Sequence, residues 1–278
     1  MPAITAEMVR NLREKTDLPM MDCKKALMEA DGDEAKAIKI LKEKVKGLTV
    51  KLGDRATSEG RVATLTAPDG MSAVMVEVKC ESAPVSRSED FLFLCDQLTK
   101  QLLNGPGAAT AEELLAQSAP DRPGATLRLV LDDVLNKIRE NMVIGRILKV
   151  QGPSAGYTHH DGSVGVIVQA AGEKSTAPVL KDVAMHIAAL NPRYCLPEQM
   201  DAAAVSAEKE KLMDEARKSG KPEAMLEKIV TGKMRVFYAG EGVLTNQPFA
   251  KDDSKTVEAA LAESGLKAVA FTRWRLGQ

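Results

Sequence analysis

Apolar positions recur at helical spacing through residues 1–46 and then change to strand-like alternation, which divides the chain. Ile4, Met8, Val9 and Leu12 fall on one stripe of a first helix. Pro19 disfavours helical backbone at Leu18 and should end that helix before it. A second helix is expected after Asp22, which can cap it by accepting an N–H from Lys24 or Lys25. Asp31-Gly32 makes a turn, Asp33 can cap a third helix, and Ala37, Ile38, Leu41 and Val45 form its buried stripe. Met20 and Met21 then lie side by side in the turn between the first two helices. Two neighbours cannot both enter one small core, so at least one is expected on the surface, where Met is adaptable apolar binding area. The competing expectation is a hydrophobic staple, with Met21 packed back on its own helix.

From Gly47 to Gly60 the chain is polar and basic and reads as a linker with some helical character. A hairpin follows: Arg61–Ala67, the turn Pro68-Asp69-Gly70, and Ser72–Cys80 with Val74, Val76 and Val78 on one face. The loop Glu81–Arg87 leads to a helix capped by Ser88, whose stripe is Phe91, Leu94, Cys95, Leu98 and Leu102. Thr110-Ala111-Glu112-Glu113 is a capping box, Leu127–Glu140 an amphipathic helix, and Met142–Val150 a returning strand. The pattern then recurs. Tyr157–His159, the turn Asp161-Gly162, the apolar run Val164–Val168 and a helix over Ala177–Leu190 repeat strand, turn, strand and helix. Between about 206 and 239, two charged helical stretches meet at Ser219-Gly220-Lys221-Pro222, where Gly220 suits a C-cap and Pro222 a first turn. A helix near Val257–Glu263 and a strand over Ala268–Leu276 complete the series.

These elements predict an α+β chain: a three-helix domain at 1–46, a linker at 47–60, and two related α+β core subdomains at 61–151 and 152–278. Each core subdomain has a small antiparallel sheet, and the second carries the inserted helical hairpin. At 278 residues the chain is long enough for more than one core, and 44% hydrophobic with 28% charged residues fits a soluble protein. A net charge of −1 and 3% aromatics argue against a direct nucleic-acid partner, and no apolar run has the length of a membrane span. The N-terminus lacks a signal-peptide core, so a cytoplasmic protein is expected. Cys23, Cys80, Cys95 and Cys195 have no zinc-type spacing and read as reduced core thiols; no metal or cofactor is expected. A nucleophilic role for Cys80 or Cys195 is the enzymatic alternative, yet no histidine is placed in sequence to activate either.

The stretch Thr16-Asp17-Leu18-Pro19-Met20-Met21-Asp22-Cys23-Lys24-Lys25-Ala26-Leu27 resembles the N-terminal signature of the bacterial elongation factor Ts family. Collinear fragments extend the resemblance: Glu59-Gly60, Lys137–Asn141, Met185–Ala189, Ser219–Pro222 and Gln247–Phe249. It implies an exchange factor, without covalent chemistry, for the GTPase elongation factor Tu in its GDP-bound and nucleotide-free forms. The three-helix unit would be a ubiquitin-associated-like domain docking on that GTPase, and the hairpin a coiled-coil or dimerisation module able to form a homodimer. Met20, Met21 and His186 match partner-binding positions. The family's segment cysteine-glutamate-threonine-aspartate-phenylalanine-valine supplies the wedge that displaces Mg²⁺. Here it reads Cys80-Glu81-Ser82-Ala83-Pro84-Val85, so the acid is replaced by Ala83 and the aromatic by Pro84, and Ser82, Ala83, Pro84 and Val85 form an altered wedge. The alternative implied is a binding protein of the same fold with weak or lost exchange.

Overall fold

A computed structural model describes residues 4–16, 18–218 and 222–278. Helices α1 (Ala6–Thr16), α2 (Met20–Glu29) and α3 (Glu34–Leu52) come first. They close over Val9, Leu12, Leu18, Cys23, Ala26, Leu27, Ala37 and Leu41, the apolar stripes facing inward as amphipathic helices require. Asp33 caps α3 by accepting from Lys36 N at 3.0 Å. The side chain of Val45 lies outside the described residues. Helix α3 runs on to Leu52, so the first part of the expected linker is helical.

Strands β1 (Glu59–Thr66) and β2 (Ser72–Cys80) form the predicted hairpin and join a later strand, β3 (Met142–Gln151), in the order β1-β2-β3. Gly60 has φ 145°, and a Cβ there would lie 2.1 Å from Val78 O, so only glycine fits this crossing of the backbones. Between β2 and β3 lie α4 (Glu89–Asn104), α5 (Ala111–Leu115) and α6 (Leu127–Ile138). Ser88 and Thr126 cap α4 and α6 as hydroxyl acceptors. Thr110 caps α5, while Glu113 reaches Ala109 N rather than the cap residue itself, one position before the expected capping box.

Strands β4 (Ser154–Thr158) and β5 (Val164–Ala171) pair antiparallel, and β5 pairs antiparallel with β8 (Lys267–Arg275). Helix α7 (Pro178–Leu190) lies on this sheet and buries Leu180, Val183, Ala184 and Ile187 against Val166 and Val168. Helices α8 (Ala202–Lys218) and α9 (Glu223–Gly240) form the hairpin around Leu212, Ala216, Leu226, Val230 and Met234. The expected cap at Gly220 lies outside the described residues. Two short strands, β6 (Pro248–Phe249) and β7 (Asp252–Thr256), and α10 (Val257–Ala262) precede β8.

The chain forms two compact units, and neither is one continuous stretch. The first comprises residues 1–63, 76–147 and 277; the second comprises 64–75, 148–276 and 278. This differs from a consecutive division at 151, because the tip of the β1–β2 hairpin bonds within the second unit. Thr64 N donates to Thr158 Oγ1 at 3.0 Å, Gly156 N to Thr66 Oγ1 at 2.8 Å, and Ser154 N to Gly70 O at 2.9 Å.

Candidate partner-binding surface

Helix α2 begins one residue after Pro19, whose φ of −55° and ψ of 135° set the last non-helical backbone. Met20 and Met21 therefore occupy the first helical turn, not the preceding loop. Cys23, Ala26 and Leu27 take the buried face of this helix, which turns both methionines outward, at 51% and 61% exposure. The staple arrangement is absent for these exposed side chains. Asp22 does not cap the helix; it lies inside the first turn, and its carboxylate accepts from the Arg139 guanidinium. A distant ion pair has taken the group that local chemistry assigned to the cap.

Arg139 is the left-handed residue (φ 64°) that ends α6, its N–H donating to Leu135 O at 2.8 Å. The two residues after it fasten the loop that follows β2. Glu140 accepts from Ser82 N at 3.0 Å and from Ser82 Oγ at 2.6 Å. Asn141 N donates to Glu81 Oε1 at 2.6 Å, and its buried amide donates to Arg55 O at 2.8 Å and Gly53 O at 3.3 Å. Three consecutive residues thus tie α2, the turn that follows α3 and the base of the 81–85 loop together within the first unit.

The loop itself is closed by short-range bonds. Cys80 Sγ donates to Ser82 O at 3.3 Å and Ser86 Oγ to Ala83 O at 2.8 Å. Pro84 stands in helical backbone (φ −59°, ψ −40°) before the turn Val85–Arg87. Ala83 and Pro84 are exposed at its tip, Ser82 and Val85 half-buried. Phe91 is fully buried on α4, and Phe93 lies under the Arg122 guanidinium, 5.5 Å from ring centre to Cζ. Neither offers an aromatic group at the tip.

His186 belongs to the second unit and is buried, at 1% exposure. Its Nδ1 accepts from Ala250 N at 3.1 Å, which leaves Nε2 to donate to Gln247 Oε1 at 2.9 Å. Burial holds its pKa below the ordinary value, with the Gln247 bond partly opposing. The ring spans α7 and the segment before β7 and is not open to a partner in this conformation. Three of the buried thiols are held towards their neutral form. Burial pushes Cys80 and Cys195 up to about 11 and Cys95 up to about 12, with Glu140 adding to the effect at Cys80. Among the described residues no group of three or more His, Cys, Asp or Glu side chains could hold a metal, and no helix is long and apolar enough to cross a membrane.

The sequence model of the family described as "Elongation factor TS" matches residues 84–278. The "Elongation factor Ts" of Thiobacillus denitrificans is 40% identical over 280 residues, covering 100% of this chain and 93% of that protein. The proteins of the same name from Aromatoleum aromaticum (39% over 280 residues, covering 100% and 92%) and Hyphomonas neptunium (40% over 289 residues, covering 100% and 93%) match as completely.

The chain belongs to the elongation factor Ts family.

Elongation factor Ts is a translation elongation factor, and the family's role is guanine-nucleotide exchange on elongation factor Tu. The family match begins at residue 84, inside the altered loop; Met20 and Met21 fall within the full-length similarity to the relatives. The fastening triplet Arg139-Glu140-Asn141 was not singled out by sequence reasoning, beyond being part of one resembling fragment. A signal was present: three polar residues follow directly where the apolar stripe of α6 stops.

Proposed function

We propose that this chain binds elongation factor Tu through Met20 and Met21 and promotes GDP release by pressing the Ser82–Val85 loop on its Mg²⁺ and phosphate site. One observation carries the reading: exposed methionines and an exposed loop tip are fastened to neighbouring residues, Asp22 to Arg139 and Ser82 to Glu140. Docking at the methionines then delivers the loop in a fixed relation to them. The chain performs no covalent step and acts in the cytoplasm. Residues 1–46 serve as the docking domain, the two α+β subdomains as the core, and the hairpin as a surface for a second copy. His186 acts as a positioning residue, holding the Gln247–Ala250 segment rather than touching the partner itself.

The GTPase holds nucleotide through its phosphate loop and Mg²⁺. A factor that binds best when those contacts are strained lowers nucleotide affinity, and nucleotide lowers the factor's affinity by the same ratio. The altered tip bears on how far this goes. A buried Phe is worth about 2–3 kcal/mol. If all of that drove exchange, its absence would cost about two decades in rate. Pro84 offsets part of this, because a stiff loop loses less entropy on docking.

A second reading, retained binding with weak or lost exchange, is favoured by the lack of acid and aromatic at Ala83 and Pro84. GDP release from elongation factor Tu separates the two. Acceleration by the wild type supports exchange. Capture of elongation factor Tu without faster release supports the binding protein, and Ala83→Asp/Pro84→Phe should then switch release on. Failure to bind at all would sink both.

A further inference from the structure

A groove in the second unit, between the last turns of α7 and the β4–β5–β8 sheet, gathers cations that the exchange reading leaves unused. Strand alternation puts Arg273 and Arg275 on one face of β8, opposite Val166 and Val164 of β5. With Tyr157, His159, Val164 and Met185 they line about 340 Å³, and neither Asp nor Glu is among the lining residues. Asp161, beside the rim, is already engaged: its Oδ1 meets His159 Nδ1 at 2.9 Å and accepts from Ser163 N and Oγ at 2.8 and 2.7 Å.

The Arg273 guanidinium is poorly provided for. One terminal nitrogen donates to Ala188 O at 3.3 Å, and Nε is buried with no hydrogen-bond partner among the described residues. A guanidinium carries five N–H donors, and burying one without an anion is costly. Desolvation and the neighbouring Arg275 charge both work against its charged form. An oxyanion in the groove would answer each of these at once, since paired guanidinium forks match phosphate geometry. The volume is at the lower end for small-molecule sites, and Val164, Met185 and the Tyr157 ring supply an apolar wall.

We propose that this groove binds a small molecule carrying a phosphate-type oxyanion next to a flat apolar group. The inference is independent of elongation factor Tu. Trp274, the chain's one tryptophan, lies between the two arginines in sequence and gives a reporter. The full chain is titrated with inorganic phosphate and with phenyl phosphate, at ionic strength matched by sodium chloride, following Trp274 fluorescence and heat. Both probes should saturate, phenyl phosphate more tightly. Arg275→Gln, at an exposed position, and Arg273→Lys, which keeps the charge but loses the fork, should each weaken binding at least tenfold. Arg128→Gln, in the first unit, should leave it unchanged. No saturable binding of either probe would overturn the proposal. So would wild-type affinity in both groove variants, or an equal loss in Arg128→Gln.

Discussion

Met20 and Met21 carry apolar area that the fold does not use. Burying the exposed half of each against a partner is worth about 1 kcal/mol per side chain, or about 2 kcal/mol for the pair. Met20→Ala/Met21→Ala should therefore weaken elongation factor Tu binding roughly thirtyfold while leaving the unfolding temperature unchanged, as titration calorimetry and thermal unfolding would show. Glu140 makes the complementary case. Glu140→Ala removes both Ser82 bonds and frees the loop base, but leaves Met20 and Met21 in place. Binding should persist while any acceleration of GDP release falls about tenfold, because the freed loop must then be ordered on docking, which costs conformational entropy. Equal losses in binding and release would contradict the separation of anchor from loop. His186 adds a pH dependence. Burial favours its neutral ring, so the unfolded chain takes up the proton first as pH falls below 6.5. The stability it contributes is full above 6.5 and is lost from there down towards its lowered folded value. Urea unfolding at about pH 7.5 and about pH 5.5 should show this slope, and His186→Gln should flatten it.

At the scale of elements, the hairpin α8–α9 has a core of five buried residues among the described ones, Leu212 being one of them. Leu212→Ala should cost about 2–3 kcal/mol, expressed as early loss of the hairpin's helical signal and amide protection, with the β4–β5–β8 sheet unchanged. Simultaneous loss of both would contradict a hairpin with its own core. Much of the element pattern was legible because it rests on neighbours in sequence. The caps at Asp33, Ser88 and Thr110 and the stripe of α4 depend on residues within a turn or two. Asp22 was misread as a cap because its true partner, Arg139, is 117 residues away. The helical character expected at the start of the 47–60 stretch extends to Leu52, a limit that polar composition alone does not set. His186 was read as a contact on resemblance, while its burial depends on Gln247 and Ala250, more than sixty positions on. Strands β6 and β7 are too short for alternation to register.

For the whole molecule, the division into units follows bonds rather than chain order, with the hairpin tip 64–75 belonging to the second unit. The features proposed to face the partner, Met20–Met21 and Ser82–Val85, both lie in the first unit, and a single triplet fastens them. The central claim is that this arrangement acts on the nucleotide site of elongation factor Tu. The most direct measurement is the release rate of labelled GDP from elongation factor Tu as this protein is titrated to saturation. The account predicts a saturable acceleration, smaller in Met20→Ala/Met21→Ala at limiting protein and larger in Ala83→Asp/Pro84→Phe at saturation. An unchanged release rate at saturating protein, with the restored tip equally inert, would contradict it.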